Sequence, residues 1–167
     1  MPDKYLYNNA GTITEKTATV TSAGAGDAGK IVGLDASGRI DTSAMPVGIG
    51  ADTATITASE ALAAGDLVNV WNSSGAKVRK ADATTAGKEA HGFVLASVSS
   101  GATATVYFEG TNTSVSGLTP GVQYLGTTAG GSVGTAPSGS GNAVQRVGFA
   151  TSATSLNFQS QPPVVLA

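Results

Sequence analysis

The residues able to do chemistry are few and scattered. The 167-residue chain has one histidine, His91, and no cysteine. Thiolate nucleophiles, disulfides and Cys-type metal sites are therefore excluded, and any acid–base or metal centre would have to combine His91 with carboxylates. His91 stands in Glu89-Ala90-His91-Gly92-Phe93, just ahead of an apolar run, where it reads as a residue at a strand's end. Asp35, Asp41, Asp52, Glu60, Asp66, Asp82 and Glu109 fall mostly in turns or at strand ends, and no motif sets two of them face to face as glycoside hydrolysis requires. Asp35 to Asp41 begins like a calcium loop but lacks the intervening acids and the terminal Glu, so it reads as a turn. No serine lies in G-x-S-x-G, which leaves no triad to build. Gly24-Ala25-Gly26-Asp27-Ala28-Gly29 matches G-x-G-x-x-G, but the strand-like Lys30 to Leu34 follows it where a pyrophosphate cradle needs a helix. The expectation is a non-enzyme with no catalytic residue, cofactor or metal.

The charge balance narrows the partners. Charged residues make up 12% of the chain, about half the usual share, and Gly, Ala, Ser and Thr fill the gap. A formal net charge of −2 gives no electrostatic footprint for nucleic acid. Lys77, Arg79 and Lys80 are the one basic cluster and read as a solvated strand edge that discourages further pairing. No apolar run approaches the ~20 residues of a membrane span, and the N-terminus has no signal-peptide core. The expected product is soluble and made in the cytoplasm, with neither a nucleic-acid nor a membrane partner.

Such residues must be positioned by β-structure, because turn residues separate short apolar alternations from residue 48 onward, the pattern of a sandwich or barrel. Strands are expected at Thr53–Thr57, Leu67–Trp71, around Val78, Gly92–Val98 and Ala104–Phe108, then at Val122–Leu125, Ser132–Ala136, Val144–Phe149 and Ser155–Phe158. Residues 57–64 alone have a helical look. A repeat organises this body: Leu62, Gly65, Gly75, Gly92 and Phe93 recur 56 residues later as Leu118, Gly121, Gly131, Gly148 and Phe149. Two related lobes, 61–110 and 117–160, are expected within a body spanning 48–167, with Phe93 and Phe149 both buried.

The ends differ from the body. Residues 1–27 carry an aromatic patch, Tyr5, Leu6 and Tyr7, then a threonine-rich alternation with weak apolar anchors such as Ile13 and Val20. This is too little for a local core, so an extended arm is expected. With Lys30 to Pro46, read as strand, turn, strand, it makes a first region of 1–47. The tail Gln161 to Ala167 is stiffened by Pro162 and Pro163 and ends on Val164, Val165 and Leu166, an apolar terminus that expects a neighbour. Trp71 is expected half buried at a subunit contact, with a sugar-stacking role as the other reading.

Two blocks carry a resemblance: Gly29 to Pro46 (GKIVGLDASGRIDTSAMP), and Ala61 to Glu109 with its AGDLVNVW and HGFVL runs. The first resembles head-proximal or shaft segments of tailed-bacteriophage fibres and capsid-attached proteins. The second is similar to phage capsid decoration (cement) proteins and fibre β-modules. The resemblance implies an all-β fold: a β-barrel or jelly-roll-like sandwich of two lobes with an extended N-terminal arm. It also implies a homotrimer on the virion's capsid surface, bound to the major capsid protein after synthesis in the host cytoplasm. Tyr5, Leu6, Tyr7, Ile13, Val20, Trp71, Val164, Val165 and Leu166 are the candidate contact residues. The alternative is a head-fibre or tail-fibre module binding a host glycan or receptor through loops near Trp71 or Asn112.

Overall fold

A computed structural model describes residues 4–45 and 51–167. The chain divides into two compact units, Met1–Gly50 and Ala51–Ala167, and its regular structure is nearly all β.

In the first unit, β1 (Lys4–Asn9) and β2 (Thr12–Thr17) form an antiparallel hairpin. The expected extended arm is instead doubled back on itself. The physical reason is the two-residue turn Ala10-Gly11, at φ +50° and +92°, the positive angles that a right-twisted hairpin favours. Asn8 Oδ1 accepts the Gly11 N–H at 2.8 Å. Further on, Thr19 bridges Val32 in parallel, and short 3-10 turns occupy Gly24–Asp27 and Thr42–Ala44. The turn expected at Asp35–Gly38 is present: Asp35 Oδ1 accepts from the Ser37 and Arg39 amides, and Gly38 takes φ +73°. The strands expected on either side of it are absent among the described residues, because Ile31, Val32 and Leu34 are all exposed and have no buried face to lie on. Pro46, expected to close this segment, lies outside the described residues. None of residues 4–45 is buried.

The second unit opens with a closed barrel of β3 (Thr53–Ala58), β4 (Leu67–Asn72), β5 (Ala76–Lys80), β6 (Gly92–Phe93) and β7 (Thr103–Tyr107), in the order β3-β5-β4-β6-β7. There follow β8 (Gly110–Asn112), β9 (Gly121–Leu125), β10 (Ser132–Val133), β11 (Ala143–Val144), β12 (Arg146–Ser152), β13 (Ser155–Phe158) and β14 (Val164–Val165). The second sheet runs β10-β9-β12-β13-β8, and β11 pairs with β14. Read from β5, the barrel order is β5-β4-β6-β7-β3, so the second sheet repeats it strand for strand. The difference is closure. In the barrel, β3 and β5 pair in parallel through Thr57↔Lys77 and Ala58↔Val78, whereas their counterparts β8 and β10 are the two ends of an open sheet. No helix forms at 57–64; Leu62 instead bridges Val98 across the barrel.

Successive residues on a strand point to opposite faces, and in β4 and at β6 both faces are buried. Val68 and Val94 join Ala58, Leu62, Val78, Ala104 and Val106 inside the barrel. Their neighbours Leu67 and Phe93 point the other way, into a second core with Leu125, Val147, Leu156 and Phe158 of the open sheet. Phe93 stacks on Tyr107 at 5.4 Å between ring centroids and meets Phe158 edge-on at 5.6 Å. The closed lobe therefore has its own core, and the open lobe uses the outer face of the closed one.

Phe149 does not share this core. It is half buried on β12, paired with Val122, which is 40% exposed. A bulge between Arg146 and Gly148 shifts the register, and Phe158 supplies the buried ring that Phe149 was expected to give.

Candidate contact surface

His91 and several of the carboxylates make contacts within the fold. His91 is exposed, and its Nδ1 accepts the Val70 N–H at 3.0 Å, beside a groove of about 410 Å³ also lined by Glu89, Gln145 and Pro162. Among the described residues, no group of three or more His, Asp or Glu is placed to hold a metal ion. The Asp27 carboxyl is held below its ordinary value by the Lys30 ammonium and the Ala23 N–H, and Asp41 by the Ser43 hydroxyl and amide. Both are turn-locking carboxylates of the first unit.

The basic cluster is not a solvated edge, because β5 pairs on both sides, with β3 and β4. Arg79 donates to Asn69 Oδ1 and to the Gly87 carbonyl, while Lys80 pairs with Asp66 at 3.1 Å. The Arg79 guanidinium lies 4.4 Å from the centre of the Trp71 ring. Trp71 is half buried as expected, with its indole N–H on Ser59 Oγ at 3.2 Å. One ring face is thereby occupied, which leaves a sugar platform only the other. Asn112 is fully buried; its Nδ2 donates to the Gly65 carbonyl and its Oδ1 accepts from the Ser114 amide. Its side chain ties the loop at Ser114 to Gly65.

The other candidates are apolar groups near the two ends. On the hairpin, the register places Leu6 and Ile13 on one face and Tyr5 and Tyr7 on the other. Leu6 is 73% exposed and Ile13 62%, flanked by the Lys4–Glu15 ion pair at 2.8 Å. Lys16 Nζ lies 3.8 Å from the Tyr7 ring centre. Val20 is half buried just after the Thr19 bridge. In the tail, Val164 and Val165 are 64% and 55% exposed although β14 pairs with β11. Leu166 is held through backbone bonds to Gly141 and Asn142.

The sequence reading missed Ile31, Val32, Leu34, Ile40 and Met45, all exposed in the first unit. A strand, turn, strand reading of residues 30–46 does not single them out, because apolar residues in a strand ordinarily face a core. A usable signal was present, since Gly29, Gly33 and Gly38 interrupt the segment too often for a strand with a packed side.

No family model matches the sequence, and no curated protein matches it. Among solved structures, the chain is similar to the crystal structure of the N base of the head fibre protein gp8.5 of bacteriophage phi29, at 15% identity, covering 68% of this chain and 92% of that one, with a TM-score of 0.45.

Proposed function

We propose that the chain is a structural protein of a tailed-phage virion: a capsid decoration protein that sits on the outer head surface as a homotrimer, contacts the major capsid protein and stabilises the shell. The observation that carries this reading is the exposure of large apolar side chains in both end segments, Leu6 and Ile13 in the hairpin and Val164 and Val165 in β14. Surfaces of this kind serve association, and many modest contacts spread over a large area clamp a shell without one strong site. The resemblance of residues 29–46 and 61–109 to phage virion segments agrees with it. In the alternative, a head-fibre or tail-fibre module that binds a host glycan or receptor through loops near Trp71 or Asn112, the contacts would fall to neighbouring loop residues and the free face of Trp71, since Arg79 covers its other face and Asn112 is buried.

The test is copy number on purified particles, measured by quantitative mass spectrometry against the major capsid protein. Hundreds of copies per head are expected. A few dozen, localised at one vertex or the baseplate by labelled electron microscopy, would reject decoration in favour of a fibre.

A further inference from the structure

The first unit has the apolar content of a folded element without the core of one. Eight large apolar side chains between residues 6 and 45 are 38–73% exposed, and no described residue of the unit is buried. A two-stranded hairpin is at best marginal alone, and a chain of this length rarely folds without outside help. This unit holds neither a disulfide nor a described buried residue to supply that help. Among the described residues, the outer sides of β1 and β2 pair with no further strand.

We infer that this surface is covered by the same unit of other copies of the chain, so that residues 4–45 tie the copies together while Ala51–Ala167 folds on its own cores. The inference deepens the proposed function by naming the partner of the hairpin, and it rests on the reading that the chain works as an assembled structural protein.

Charge selects a second copy as the occupant. The described unit has four cations, Lys4, Lys16, Lys30 and Arg39, against four carboxylates, Glu15, Asp27, Asp35 and Asp41. Lys4 pairs with Glu15 and Lys30 with Asp27. Asp35 and Asp41 are turned onto their own backbone amides, and Lys16 lies over Tyr7. The result, with Arg39 apart, is a neutral surface whose charges are largely used within it, which offers little to a strongly charged partner and does not repel its own copy. Area points the same way. At their observed exposures of 38–73%, eight such side chains offer on the order of 450 Å² of apolar surface. These side chains lie on both faces of the hairpin and along residues 31–45, so the area suits contacts with more than one neighbouring copy, which together approach the roughly 800 Å² per partner of a standard specific contact.

The experiment is sedimentation of the full chain over a concentration series, beside the double variant Leu6→Asp, Ile13→Asp. Both side chains are exposed in the single chain, so the variant should keep the near-ultraviolet spectrum and thermal unfolding of the wild type's second unit. The wild type should run as an oligomer, and the variant should associate about a hundredfold more weakly. A monomeric wild type, or a variant that associates as tightly as the wild type, would overturn the inference. Amide exchange on the unmodified chain gives an independent readout. Protection of the β1 and β2 amides should rise with protein concentration, and protection independent of concentration would count against a second copy. Co-sedimentation with expanded shells on the same samples separates the two proposals. An oligomer that ignores shells defeats the decoration reading and leaves this one standing. A monomer that binds shells and loses them in the double variant makes the shell the occupant instead.

Discussion

The two lobes of Ala51–Ala167 share one strand order and differ in a single pairing, which shows how a repeat can keep its topology while its halves take unequal roles. The first lobe closes through the parallel contact of β3 with β5, and its interior is filled by small and β-branched residues such as Val68, Val78 and Val106. The second stays open, and its inner residues Leu125, Leu156 and Phe158 pack on Leu67 and Phe93 of the first. Backbone bonds also join the lobes. Leu67 donates to the Gly130 carbonyl and Gly130 to the Ala81 carbonyl, while Ala83 donates to Gly126 and accepts from Ala143. The buried Gln145 adds a side-chain clasp, accepting from the Ala90 amide at 2.7 Å and donating to the Ala90 carbonyl at 3.0 Å. The open lobe thus depends on the closed one, and the dependence is not reciprocal for the barrel interior.

The sharpest break between the lobes lies at the repeated phenylalanines. Phe93 is 1% exposed and contacts two other rings, so Phe93→Ala should cost about 3–5 kcal/mol. Phe149, half buried beside Val122, should cost about 1 kcal/mol on the same change. Urea denaturation of the two variants measures the difference, and equal losses would mean that the bulge does not separate their roles.

The repeated glycines should behave alike where the phenylalanines do not. A Cβ on Gly92 would strike the Tyr107 carbonyl, and one on Gly148 the Asn157 carbonyl, each across the strand pair that joins β6 to β7 or β12 to β13. Gly92→Ala and Gly148→Ala should each lose about 2 kcal/mol or more. Gly75 has φ +108° but open space around its Cβ position, so Gly75→Ala should lose only about 1 kcal/mol. Gly92 has an ordinary backbone angle while Gly148 has φ +138° as well as its close approach, so denaturation midpoints that put Gly92→Ala no lower than the wild type would remove close approach as the cost.

Much of this β-body was legible because its strands alternate. Thr53–Thr57, Leu67–Trp71, Ala104–Phe108, Val122–Leu125 and Ser155–Phe158 each lie within two residues of observed strands at both ends. Closure was not legible, because a parallel contact between β3 and β5 is made without a tight turn that would mark it in the sequence. The shared core was hidden for a related reason. LVNV and GFV are buried on both faces, which erases the period-two signal that would have told barrel interior from lobe contact. At the N-terminus, Ala10 at φ +50° supplies a hairpin turn from a residue type that seldom adopts that angle, so the segment read as extended. For the candidate surface, residue types showed which side chains were apolar; only the fold showed that Leu6, Ile13 and Val164 stay exposed while Asn112 does not.

A smaller asymmetry lies in the loop that leaves β5. Asp82 sits between Ala81 and Ala83 of the shared core, is 5% exposed, and pairs with Lys88 at 3.2 Å; Ser138, 56 residues on, is exposed and carries no charge. Burial pushes the Asp82 carboxyl upward, but hydrogen bonds from Thr85, Lys88 and Thr84 outweigh it and hold the group below its ordinary 3.8. A carboxyl depressed in the folded state binds its proton more readily once unfolded. Its stabilisation is therefore complete above the unfolded value and fades as pH falls through 3.8 and into the folded range. Asp82→Asn should lose about 1 kcal/mol at pH 7, with the gap to the wild type closing toward pH 3, whereas Ser138→Ala should show no difference at either pH. A deficit for Asp82→Asn that stays constant from pH 7 to pH 3 would assign the loss to packing of the loop and not to the ion pair.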